Sequence, residues 1–237
     1  MPKGWTALAW RRTGAHLTCG CLLLLAGAGR ATETPYSPDP KGFIRDWLII
    51  GPYPSTNAGA EPTGFADDLL TAQGGEANVE PYPGLRDSAT FVADKAKLIA
   101  GIGSTNQWGF TETRNFDIQW EPLHWTDASP VVDLNDRFAP IKDHMVAYAA
   151  CRVVSPGPQK VQVRLGSDDD YKLYVNHAFI GGLSVCRGTT PDSNIHLVDL
   201  QKGANLILLK VVDRIGGHGF CLAITDTKGG PAEGLHV

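Results

Sequence analysis

Residues 161–176, VQVRLGSDDDYKLYVN, narrow the choice of fold more than any other stretch of the chain. Val161, Val163 and Leu165 alternate with Gln162 and Arg164, the period of a half-buried strand. Residues 166–170 break the alternation with Gly, Ser and Asp, which tolerate tight turns. Residues 172–175 resume it, and Asn176-His177 turns the chain again. The reading is strand, acidic turn, strand: one hairpin of an antiparallel β-sandwich. In that architecture recognition lies in loops and on sheet faces.

The rest of the sequence agrees. Strands are expected over 43–53, 108–113, 116–120, 131–134, 145–154, 178–184, 195–200, 205–212 and 220–225, separated by Gly, Pro, Asn and Asp. Short strands at this spacing mean a sandwich or barrel. Residues 206–212 are apolar except for Lys210, as suits a central strand covered on both faces. Thr63 is expected to cap a short helix over 64–72, with Gly74-Gly75 as its stop. Residues 93–99 fit helix or strand. The fold class is therefore all-β, with one or two short helices. A single domain spans 42–237, behind an extended lead-in over 32–41, and is long enough to bury a sizeable core.

Residues 1–31 read as an export signal: Lys3, Arg11 and Arg12, then an apolar run around residues 22–25, then small residues up to Ala31. The run is too short for a stable membrane span. The expected destination is the periplasm or the exterior. The leader holds four basic residues, with Arg30, and no acid. Its removal leaves 17 basic against 25 acidic residues, a formal charge of −8. Such a surface argues against nucleic acid as a partner. Cys151, Cys186 and Cys221 remain. Either Cys186 bridges Cys221 or all three stay free thiols, and no CxxC spacing suggests zinc.

Several segments, taken in order, carry a resemblance. They are WLIIGPY at 47–53, Gly74-Gly75-Glu76, Ala147-Tyr148, LGSDD at 165–169, and LQKGANLILLK at 200–210. Together they resemble secreted bacterial β-sandwich domains of the galactose-binding-like, jelly-roll and PA14-like kind, which often accompany glycoside hydrolases. The resemblance covers nearly the whole mature chain and implies a fold more firmly than an activity. Against its pattern, His177 stands where Gly is usual after Asn, and Asp170 where Gly usually follows the Asp pair.

The candidate chemistry follows from residue types. Asp168 and Asp169 are expected chiefly to bond their own loop's backbone. The alternative is a Ca²⁺ ion, which takes six to eight oxygens. Trp108 and Trp125 offer aromatic faces on which a pyranose can stack. Asn176, Arg187, Asp192 and His218 lie in turns and supply donors and acceptors for hydroxyls. No GxSxG, HExxH or phosphate-cradling glycine loop is present, and no carboxylate pair stands out, so no catalytic residue is assigned. The expected function is a non-catalytic carbohydrate-binding module acting on extracellular glycan. The competing expectation is a structural or protein-interaction sandwich contacting another secreted protein. Aromatics with polar neighbours would favour the first, and a broad apolar patch the second.

Overall fold

The structure, a computed structural model, describes residues 37–56, 61–92, 108, 110 and 112–237. The export signal and the ambiguous segment 93–99 lie outside these residues. Twelve strands are present among them: β1 Asp46–Pro54, β2 Arg86–Phe91, β3 Arg114–Gln119, β4 Glu121–His124, β5 Val132–Asp133, β6 Met145–Ser155, β7 Gln159–Asp168, β8 Asp170–Val175, β9 Ala178–Leu183, β10 Asn194–Leu200, β11 Gly203–Asp213 and β12 Gly219–Thr225. They form a six-stranded sheet (β4-β1-β6-β11-β8-β9), a four-stranded sheet (β10-β7-β12-β5) and the small pair β2-β3, all antiparallel. The all-β sandwich read from the alternation is the fold observed.

The core follows the strand period. Val161, Val163 and Leu165 of β7 are buried, as are Phe220, Leu222 and Ile224 of β12. Trp47 packs edge-on against Phe220 at 5.1 Å and donates its indole N–H to Ile44 O. β11 lies between β6 and β8 and is buried from Asn205 to Asp213. Asn205 closes the turn before it. Its Nδ2 donates to the Gln201 and Gly203 carbonyls, and its Oδ1 accepts from Gln201 N–H.

Residues 61–85 meet the six-stranded sheet through one buried polar cluster. Lys210 Nζ donates to Glu76 Oε1 at 2.7 Å and also to Asp67 O. Tyr148 OH donates to Glu76 Oε1 at 2.6 Å, and Tyr174 OH to Glu76 Oε2. Lys210 is 0% exposed and Glu76 4%. Burial opposes ionisation of Glu76. The Lys210 charge and the three hydrogen bonds outweigh it and hold the carboxyl below its ordinary range.

Three expectations need correction. The acidic segment is not a hairpin tip: β7 and β8 belong to different sheets, so Asp168–Asp170 is the crossing between layers. The helix is shorter than its apolar pattern. It comprises α1 Thr63–Ala66 and a 3₁₀ turn Thr71–Gln73, because Asp67 takes extended geometry and ends the first. Thr63 lies inside α1, where its Oγ1 accepts from Thr56 N–H, and Gly74 ends the 3₁₀ turn in left-handed geometry as expected. Of the two cysteine alternatives, free thiols are observed: Cys151, Cys186 and Cys221 form no bridge, and only Cys186 is exposed. The described residues of 108–113 contain no strand.

Candidate functional site

The crossing lies at one end of the sandwich and is held by its own acids. Asp170 is fully buried and receives Arg214 in a two-pronged ion pair: Nη2 to Oδ1 at 2.8 Å and Nε to Oδ2 at 3.1 Å. Asp169 accepts Arg187 N–H at 2.7 Å and Arg214 N–H at 2.9 Å. Asp169 therefore ties two distant segments to the crossing, not its own loop's backbone as expected. Asp168 lies against Gly217, where a Cβ would sit 2.3 Å from its Oδ2. Burial first, and then the Asp169 charge, push the Asp168 carboxyl up to about 6.

Asp213, at the end of β11, is fully buried and has no hydrogen-bond partner on either oxygen. The nearby His144 N–H lowers the cost of its charge, but that donor is directed at Arg214 O, at 3.2 Å. Burial, followed by the charges of Asp143, Asp169 and Asp168, pushes the Asp213 carboxyl up to about 8. A buried carboxyl without a partner avoids its desolvation cost by staying neutral. Among the described residues, no three His, Cys, Asp or Glu side chains converge to hold a metal.

The fold spends most of the sequence-predicted binding residues internally. Arg187 donates Nε and Nη2 to Ser167 and also Nη2 to Asn194 Oδ1 at 2.7 Å. Asp192 takes Arg164 on both oxygens, at 2.9 and 2.7 Å. Asn176 pairs with Asn205 and accepts Leu206 N–H at the opposite end of β8. Trp125 donates to Ser129 O, and Trp108 to His144 O at 2.7 Å. His218, expected as a hydroxyl ligand in a turn, is buried against Phe138, and burial pushes its imidazole down to about 4. Arg187 and His218 therefore share an end with Asp168 and Asp169, while Asn176 lies far from them. At the Asn176-His177 turn both residues have positive φ, 48° and 69°. This fits a two-residue hairpin turn, with the His177 ring held by Glu80.

An open site lies elsewhere. β3 pairs with β2 in the small sheet, whereas β4 pairs with β1 in the large one, so the chain changes sheets at Trp120. Trp120 is fully buried and pins this corner: its indole N–H donates to Gln73 Oε1 at 2.8 Å and its amide to Leu85 O. The corner opens a cleft of about 290 Å³ bordered by β1, β3, Glu121 and residues 137–139. Pro52, Ile118 and Phe138 give it an apolar base. Gly51 admits Phe138, since a Cβ there would sit 3.1 Å from the ring. Phe116 is half-buried and is backed by Phe91 at 5.3 Å and Phe110 at 6.0 Å. Trp108 stacks edge-on behind Phe91 at 5.0 Å, so this predicted ligand aromatic buttresses the cleft. Asp117, Gln119, Glu121 and Arg137 complete the lining. Arg137 Nη2 reaches Glu121 Oε2 at 3.1 Å, and Gln119 Nε2 lies 3.5 Å from Glu121 Oε1.

Sequence reading gave residues 116–120 as a strand, with Trp120 beside Trp108 and Trp125 as a candidate stacking ring; Trp120 is buried instead. The signal was the alternation of Phe116, Ile118 and Trp120 with Asp117, Gln119 and Glu121. The corner that turns it into a cleft depends on pairings distant in sequence.

No family model and no curated protein matches the chain. Solved structures similar to it include an anti-sigma factor domain-containing protein, 13% identical, with a TM-score of 0.37, over 62% of this chain and 44% of that one. Another is the PA14 sugar-binding domain from an RTX adhesin, 12% identical, with a TM-score of 0.35, over 80% of this chain and 94% of that one. A third is the Epithelial Adhesin 9 A domain from Candida glabrata in complex with Galb1-3GlcNAc, 9% identical, with a TM-score of 0.35, over 81% and 87%. The chain spans less than half the length of the first of these.

Proposed function

We propose that this chain is a non-catalytic carbohydrate-binding module that holds extracellular glycan in the cleft beside Phe116. The observation that supports the reading is the lining itself. It sets an aromatic ring and an apolar base beside an amide, two carboxylates and a guanidinium. Sugars present an apolar C–H face and a hydroxyl edge, and such linings engage both. Export behind the basic, leucine-rich leader belongs to the same proposal. Among the described residues no helix is long and apolar enough to cross a membrane. A protein-interaction role is the second reading, supported by exposed Phe179 and Leu183 on β9 and Ile195 and Leu197 on β10.

Polysaccharide pull-down and a glycan array, run on wild type and Phe116→Ala, test the proposal. Wild type is expected to retain at least one glycan, and the variant to bind it about tenfold more weakly, equivalent to roughly 1.4 kcal/mol. Circular dichroism and a melt confirm that the variant is folded. A blank array, or a glycan bound equally by folded variant and wild type, would overturn the proposal.

A further inference from the structure

The cleft's polar groups are not balanced between donors and acceptors. Arg137 directs Nη2 at Glu121, and Gln119 turns its amide N–H₂ toward the same carboxylate. The cleft's cation is therefore already paired, and one of its neutral donors is drawn to the same group. Asp117 lines the cleft and is exposed, and among the described residues its side chain takes part in no hydrogen bond or ion pair. Arg86 is opposite Gln119 across the β2-β3 pair but does not line the cleft. The lining thus holds two carboxylates against one guanidinium. A uronate or sulfated sugar would bring its charge against both carboxylates and find Arg137 taken. A ligand rich in donors and carrying positive charge meets the opposite situation, since an ammonium has three donors and no acceptor.

Resting on the carbohydrate reading above, we propose that the cleft selects amino sugars: saccharides with a free, protonated amine, which Asp117 recognises. Charge complementarity of this kind sets specificity as much as affinity. The acidic mature chain also favours approach to a polycationic glycan.

The test is calorimetric titration of the full mature chain, at mildly acidic pH, with three probes. They are an oligomer of β-1,4-linked glucosamine, its fully N-acetylated counterpart, and an oligogalacturonate. The amine form is expected to bind about tenfold tighter than the acetylated form, with no detectable binding of the uronate. Asp117→Asn is expected to erase most of the preference for the amine form over the acetylated form. Raising the salt concentration should narrow the gap between amine and acetylated probes. Equal affinity for those two, or tightest binding of the uronate, overturns the selectivity and leaves the carbohydrate reading standing. A preference that survives unchanged in Asp117→Asn also overturns it. If none of the probes binds and a wide array is blank too, the carbohydrate reading itself falls.

Discussion

Replacing Asp213 with Asn is expected to stabilise the protein at pH 8 and to change little at pH 4. The sign follows from the raised carboxyl pKa. Below about pH 4 the group is protonated in both folded and unfolded chains. Between 3.8 and about 8 the unfolded chain gives up the proton while the folded chain keeps it. Folding then takes up a proton, so stability is lost as pH rises through that window. At about 1.4 kcal/mol per pH unit the whole window is worth on the order of 5 kcal/mol. Asp168, pushed up to about 6, acts in the same direction over the lower part. His218 acts oppositely, because its pKa falls from 6.5 to about 4, so its contribution grows with pH across that interval. Comparing variant with wild type cancels the His218 contribution, while the Asp168 contribution shifts with Asp213 because the two carboxyls interact. Urea unfolding from pH 4 to pH 8, in chelator and in millimolar calcium, measures the difference. The variant's advantage should grow with pH in both buffers. A wild type more stable than the variant at pH 8, or stabilised by calcium only when Asp213 is present, would show the carboxylate ionised and neutralised by a cation.

The second large effect is expected at Glu76. Glu76→Gln keeps the shape but leaves the Lys210 ammonium buried without a counter-charge. Breaking a buried pair this way costs about 3–5 kcal/mol, because the surviving charge is uncompensated. Replacing Lys210 with Met in the same chain removes that charge and should restore most of the loss, since an apolar pair of similar volume is often tolerated. Urea midpoints of wild type, the single variant and the double variant check this. If the double variant is no more stable than Glu76→Gln alone, the pair is not what holds residues 61–85 to the sheet.

These two sites show what the sequence made legible. Gly74-Gly75-Glu76, Ala147-Tyr148 and the lysine that ends LILLK looked like separate motifs, and they meet in one cluster around Glu76. The Asn of GAN is the residue that closes the turn before β11. Strand period and motif order therefore carried the fold, because those residues solve local and core problems. The ligand site was less legible for the same reason. Arg187, Asp192 and Asn176 have the chemistry of sugar ligands, but loops also need donors and acceptors to fix their own backbone, and here they are used that way. The cleft arises where the chain leaves one sheet at Trp120 for another. That event is set by pairings with residues 86–91 and 46–49, which no local pattern announces.

The most direct check of the cleft is a two-dimensional amide NMR titration of residues 32–237 with a soluble amino-sugar oligomer. Shifts are expected to cluster at residues 116–121 and 137–139 and at Gly51, and to need about tenfold more ligand in Phe116→Ala. Shifts centred instead on residues 184–193 and 214–218 would place the ligand at the acidic crossing and contradict the cleft as the binding site.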